Sequence, residues 1–178
     1  MTRLFTVGHG TRPFDELVTV LHGAGVEVLV DVRRYPGSRR NPQFGRDELA
    51  SELPDGGVAY EWWGEAFGGR RKGSPDSPNT ALRNAAFRAY ADYMATAAFN
   101  DALDALLSRA EAQSVTVMCA ETLWWQCHRR LIADAATVRG YDVVHLGAGK
   151  PQPHRLEPSA RVTADGHLVY DGGALPLT

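Results

Sequence analysis

Residues 114–131, SVTVMCAETLWWQCHRRL, decide how this chain is built. Ser114 to Met118 is short, apolar and β-branched, as a buried strand requires. From Trp125 to Val138 the apolar residues Leu131, Ile132, Ala135 and Val138 recur at helical spacing. Between these segments lie both cysteines (Cys119 and Cys127), two of the four tryptophans, Glu121 and a Cys-His-Arg run at 127–129. Reactive groups therefore fall where a strand stops and a helix starts, which is where an open α/β sheet holds its ligand.

The N-terminal side repeats the pattern. Leu4–Val7 reads as a strand ending in Gly8-His9-Gly10, followed by a helix to about His22 with Thr11 as its cap. Val26–Val32 is a nearly continuous apolar run containing Asp31, which suits a strand covered on both faces. Strand, helix and strand in about 30 residues form a βαβ unit. Residues 33–45 and 61–80 read as basic, aromatic loops, separated by a short helix from Arg46 and a minor strand at 58–60. Helices over 81–95 and 99–112 precede the opening stretch, and a strand at 141–146 with a hairpin around Asp165-Gly166 follows it. The expected fold is a single α/β domain over residues 1–178: a mostly parallel sheet flanked by helices, with a small C-terminal hairpin.

Length and composition suit one soluble domain: 178 residues, 44% hydrophobic, 22% charged. A net charge of −2 argues against a generally basic nucleic-acid coat protein. With no secretory segment and no long apolar run, the expectation is a cytoplasmic protein with no membrane contact. The two cysteines are expected as thiols, and no standard zinc spacing occurs. No cofactor is implied.

His9, Asp31, the Cys119–Glu121 segment and His145 all sit at strand ends, and a parallel sheet places such ends on one edge. Asp31 and Glu121 are the candidate acid–base pair, expected to be partly desolvated. Cys127 is a candidate nucleophile in a first helical turn, with His128 or His9 as its base. Arg33 and Arg129 are candidate anion ligands, whereas Arg130 is spaced to pair with Asp134. Tyr35, Arg39, Trp62 and Trp124 belong to basic and aromatic segments suited to phosphates and bases.

The pieces TVGHGTRPFDEL (6–17), VLVDVRRYPGSRRNPQF (28–44), Tyr60 with FGG (67–69) and VMCAETLWWQCHRRLIA (117–133) together resemble the DUF488 family. The resemblance implies an α/β domain and a site made of His9, Asp31, Arg33, Glu121, Cys127, His128 and Arg129. It supplies no reaction. The chain departs from the family pattern where Gly10-Thr11 follows the first histidine and where Leu-Trp-Trp follows the CAE tripeptide. The leading expectation is an enzyme acting on an anionic, base-containing substrate, a nucleotide or nucleic acid, through carboxylate chemistry such as glycosidic-bond hydrolysis. The alternatives are a cysteine-dependent transferase, a metal-dependent enzyme and a non-catalytic nucleotide or nucleic-acid binding module.

Overall fold

A computed structural model describes residues 1–173. Its six-stranded sheet has the order β3-β2-β4-β1-β5-β6, with β1 Arg3–Gly8, β2 Val28–Asp31, β3 Ala59–Trp62, β4 Val115–Cys119, β5 Asp142–Leu146 and β6 Gln152–Pro153. The first five strands run parallel, and the short β6 returns antiparallel against β5. A separate hairpin pairs β7 (Ala160–Val162) with β8 (Leu168–Tyr170). No helix among the described residues is long and apolar enough to cross a membrane.

Helices cover both faces. α1 (Phe14–Gly23) and α2 (Arg46–Asp55) bury Leu17, Leu21, Leu49 and Leu53 against Val7, Leu29 and Met118. α4 (Ala85–Met94), α5 (Ala97–Ala112) and α6 (Arg129–Val138) pack with the hairpin against Leu4, Val28, Val30, Val115 and Val117. The one-turn α3 spans Gly64–Phe67. β2 and β4 are buried along their whole lengths, as continuous apolar runs between two helical layers require. Side-chain caps fix two helix starts: Asn84 accepts from the N–H groups of Ala86 and Phe87, and Thr96 from that of Phe99. Neither α1 nor α6 has a side-chain cap, so Thr11 does not play the expected role. α6 starts at Arg129, four residues later than the apolar spacing predicts, because Trp124–Gln126 winds into a 3-10 turn and Cys127 is extended.

Strand order places the site. From β1 the chain crosses to β2 through α1 on one face, and from β4 it crosses to β5 through α6 on the other. Neighbouring strands whose connections diverge leave a crevice at their carboxyl ends. Part of that crevice is closed by backbone. The N–H groups of His9 and Gly10 donate to the carbonyls of Cys119 and Ala120, each at 3.0 Å, so the ladder continues past both strands. A Cβ on Gly8 would overlap the Glu121 carbonyl. Gly8→Ala is therefore expected to destabilise the fold by about 1–3 kcal/mol, because backbone on both sides must shift. Gly149→Ala, with open space at its Cβ, should stay within about 0.5 kcal/mol of wild type. Chemical-denaturation midpoints compare the two.

Candidate functional site

The carboxyl end of β2 carries a closed polar cluster. Asp31 is fully buried and Arg33 nearly so. Arg33 donates from Nε and Nη2 to the two Asp31 oxygens at 2.8 and 2.7 Å, and its backbone N–H adds a third bond at 3.1 Å. Tyr60 donates its hydroxyl to Asp31 Oδ2 at 2.6 Å. Arg33 also donates from Nη2 to the Phe44 carbonyl and from Nη1 to His9 Nε2 at 3.1 Å. His9 Nδ1 lies 2.8 Å from the Gly10 carbonyl, which fixes the tautomer: Nδ1 carries the proton and Nε2 accepts from Arg33. Burial, reinforced by Arg33, lowers the His9 pKa to about 4. Burial and the Asp31 carboxylate raise the Tyr60 phenol. His9, Asp31 and Arg33 thus converge as the strand-end reading expects, but they satisfy one another.

Glu121 does not join them. It is exposed, its side chain makes no hydrogen bond among the described residues, and the expected partly desolvated Asp31–Glu121 pair does not form. The reason is the backbone closure at Gly8, which turns the Glu121 carbonyl inward and leaves its side chain in solvent.

Both thiols are buried. The neighbouring Cys119 thiol, together with burial, pushes Cys127 well above the usual thiol range. Burial opposes ionisation of Cys119, but Cys127, the Arg129 guanidinium and a backbone contact outweigh it and lower that thiol. Cys127 precedes α6 instead of lying in its first turn; the Arg129 N–H at the start of α6 still donates to its sulfur at 3.5 Å, but Cys119 and burial outweigh that contact. His128 packs beside Tyr90, and burial lowers its pKa to about 4. No group of three residues suited to a metal ion occurs among the described residues.

Arg129 is the largest fully buried side chain of the described protein. Nη2 donates to the Glu121 and Thr122 carbonyls, both at 3.1 Å, and Nη1 reaches Thr6 Oγ1 at 3.4 Å. It forms no ion pair among the described residues, and its Nε has no partner there. A buried cation without a counter-charge is costly. Arg129 lines a cavity of about 350 Å³ between residues 122–125 and the 145–153 segment, with exposed Lys150 in its wall. Trp124 lines it too, stacked 4.3 Å from the His145 ring with its indole N–H unpartnered. Of the expected ligand-binding residues, only Arg129 and Trp124 line this cavity; Arg33, Tyr35, Arg39 and Trp62 do not. Trp62 instead donates its indole N–H to the Arg33 carbonyl, and Arg46 covers its ring at 4.0 Å.

A second buried polar chain backs the cavity. Asp134 accepts from His154 Nε2 at 2.8 Å, from the Tyr170 hydroxyl at 2.8 Å and from the Glu157 N–H. His154 Nδ1 lies 2.9 Å from His145 Nε2, and His145 Nδ1 lies 2.6 Å from Thr6 Oγ1. With both imidazoles neutral, one proton arrangement satisfies every link: each group donates toward Asp134, starting from the Thr6 hydroxyl. Burial lowers the His145 pKa to about 3, aided by His154 and Arg129. The expected Arg130–Asp134 pair is absent; Arg130 bridges to Glu157 at 2.6 Å because Asp134 faces inward. Periodicity carried the only available signal, since Asp134 falls within the stripe set by Leu131 and Ala135. His154, in a Gly/Pro-rich connection, gave none.

Histidines held neutral by burial set an acid limit. Above the unfolded-state value near 6.5 their contribution is fully present. As pH falls from there toward 4, unfolded chains take up protons that folded chains refuse, and stability declines. The unfolding free energy between pH 7 and 4.5 should decrease with a slope set by up to three protons, one each for His9, His128 and His145. Denaturant titrations across that range measure it, and His145→Gln should reduce the slope by about one proton.

No curated protein and no solved structure matches the chain. A family model for a domain of unknown function matches residues 13–136, a segment that holds Asp31, Arg33, the 117–133 motif and Arg129 but excludes His9, His145, Lys150 and His154. The chain belongs to the DUF488 family.

Proposed function

We propose that the protein binds an anionic, base-containing ligand of nucleotide size in the cavity between residues 122–125 and 145–153. The observation that carries this reading is Arg129: a buried guanidinium without a carboxylate partner among the described residues, in the wall of an open cavity. An anion there supplies the missing counter-charge and gains more from it than it would in water. Lys150 adds a second cation at an exposed position. The Ala148, Gly149 and Lys150 N–H groups have no acceptor among the described residues, which suits a phosphate-binding loop. Trp125, 46% exposed, offers a ring on which a base can stack.

Glycosidic hydrolysis by two carboxylates gains nothing from an Asp31 saturated by Arg33 and Tyr60 and a Glu121 held in solvent. A thiol-transfer reaction gains nothing from a buried Cys127 with a raised pKa.

Binding is read from tryptophan fluorescence, because Trp124 and Trp125 both line the cavity. A nucleoside 5′-monophosphate should change the emission with a dissociation constant below about 1 mM, and the unphosphorylated nucleoside should bind at least about tenfold more weakly. Lys150→Glu should weaken the monophosphate about tenfold or more, and Trp125→Ala by a similar factor, with unfolding midpoints unchanged. Equal response to nucleoside and nucleotide, or an unaffected Lys150→Glu variant, would end the proposal.

A further inference from the structure

Five arginines outside the loops that follow β2 and β3 are neutralised by carboxylates. Arg3 pairs with Asp142, Arg109 with Glu61, Arg130 with Glu157, Arg139 with Asp104 and Arg161 with Asp171. The loops that follow β2 and β3 differ. Among the described residues, Arg34, Arg39, Arg40 and Arg70 form no ion pair there and donate no side-chain hydrogen bond. A net charge of −2 thus conceals a local concentration of uncompensated cations.

These two loops meet at Tyr35. Its ring is 64% exposed, with the Arg34 guanidinium 5.9 Å and the Arg70 guanidinium 5.3 Å from its centroid. Arg70 is the one non-glycine residue of the described chain in the left-handed region, at φ 59°. A residue with a Cβ pays for that conformation, and here it sets a cation over an exposed aromatic ring. Arg39 and Arg40 are exposed farther along the first loop. The loop itself is well supported: Ser38 accepts from the Arg40 and Asn41 N–H groups, and Arg46 N–H donates to the Pro36 carbonyl.

A flat ring left in solvent among free guanidinium groups matches one ligand class closely. Single-stranded nucleic acid presents phosphates to the cations and unpaired bases to the ring. An acidic peptide would use the arginines but not the exposed ring. A membrane surface would call for a larger apolar contact than one tyrosine. We infer that the surface formed by Arg34, Tyr35, Arg39, Arg40 and Arg70 binds single-stranded nucleic acid, with a base stacked on Tyr35 and its phosphates on the arginines. This surface shares no residue with the Arg129–Lys150 cavity, so it is independent of the nucleotide reading.

The test is fluorescence anisotropy with an end-labelled oligothymidine of about 12 nucleotides, repeated with a duplex of the same length. The single strand should bind at about 50 mM salt and weaken steeply by about 200 mM. Tyr35→Ala should weaken it about tenfold, and Tyr35→Phe should stay within about twofold of wild type. Arg70→Ala should reduce the slope of log affinity against log salt by about one. Lys150→Glu should leave oligonucleotide affinity within about threefold, whatever it does to mononucleotide binding. All these side chains are exposed, and unfolding midpoints confirm that the variants fold. The inference is overturned by absence of binding at low salt, by tighter binding of the duplex, by a Tyr35→Ala variant as tight as wild type, or by loss of binding in Lys150→Glu as large as in Tyr35→Ala.

Discussion

The close approach of β1 and β4 at their carboxyl ends governs everything built on this edge. Gly8 is the point of contact. Without a Cβ, it lets the Glu121 carbonyl turn in beneath it, and Arg129 meets that carbonyl and the next from the start of α6. Three consequences follow from one contact. The crevice between β1 and β4 is partly closed by backbone. The Glu121 side chain is sent outward. The open space shifts to the β5 side, where the 145–153 segment forms its other wall.

Two buried polar systems hold this edge in place, and they answer burial differently. Around Asp31 the charge is matched: a guanidinium spans the carboxylate, a phenol completes it, and a neutral imidazole takes a remaining N–H. Removing one partner of such a pair leaves the other stranded, which makes the cluster a rigid mount for the loop after β2. Around Arg129 the charge is unmatched, and carbonyl oxygens with one hydroxyl do all the solvating. The two arginines are buried to similar depth, yet one is neutralised by a carboxylate and the other is not.

Much of this was legible in the sequence, and the failures have physical causes. The parallel sheet, its helical cover and the terminal hairpin follow from apolar runs, periodicity and turn residues, because burial on two faces leaves a direct compositional trace. Convergence of His9, Asp31 and Arg33 follows from strand ends alone. What sequence spacing could not carry was the direction of a side chain after a strand ends. Glu121 points out because of a glycine more than one hundred positions away, and Arg130 takes Glu157 because Asp134 is already engaged by His154 and Tyr170. The antiparallel β6 was equally hidden, since a two-residue strand containing Pro153 has no periodicity to detect.

The His145–His154 bridge has a kinetic meaning. It ties the segment that carries Lys150 to β5, while the same His145 ring is stacked under Trp124 in the opposite wall. One imidazole therefore contacts both sides of the cavity and braces them against each other. For the nucleotide ligand proposed above, walls braced in this way would leave little conformational change to make on association.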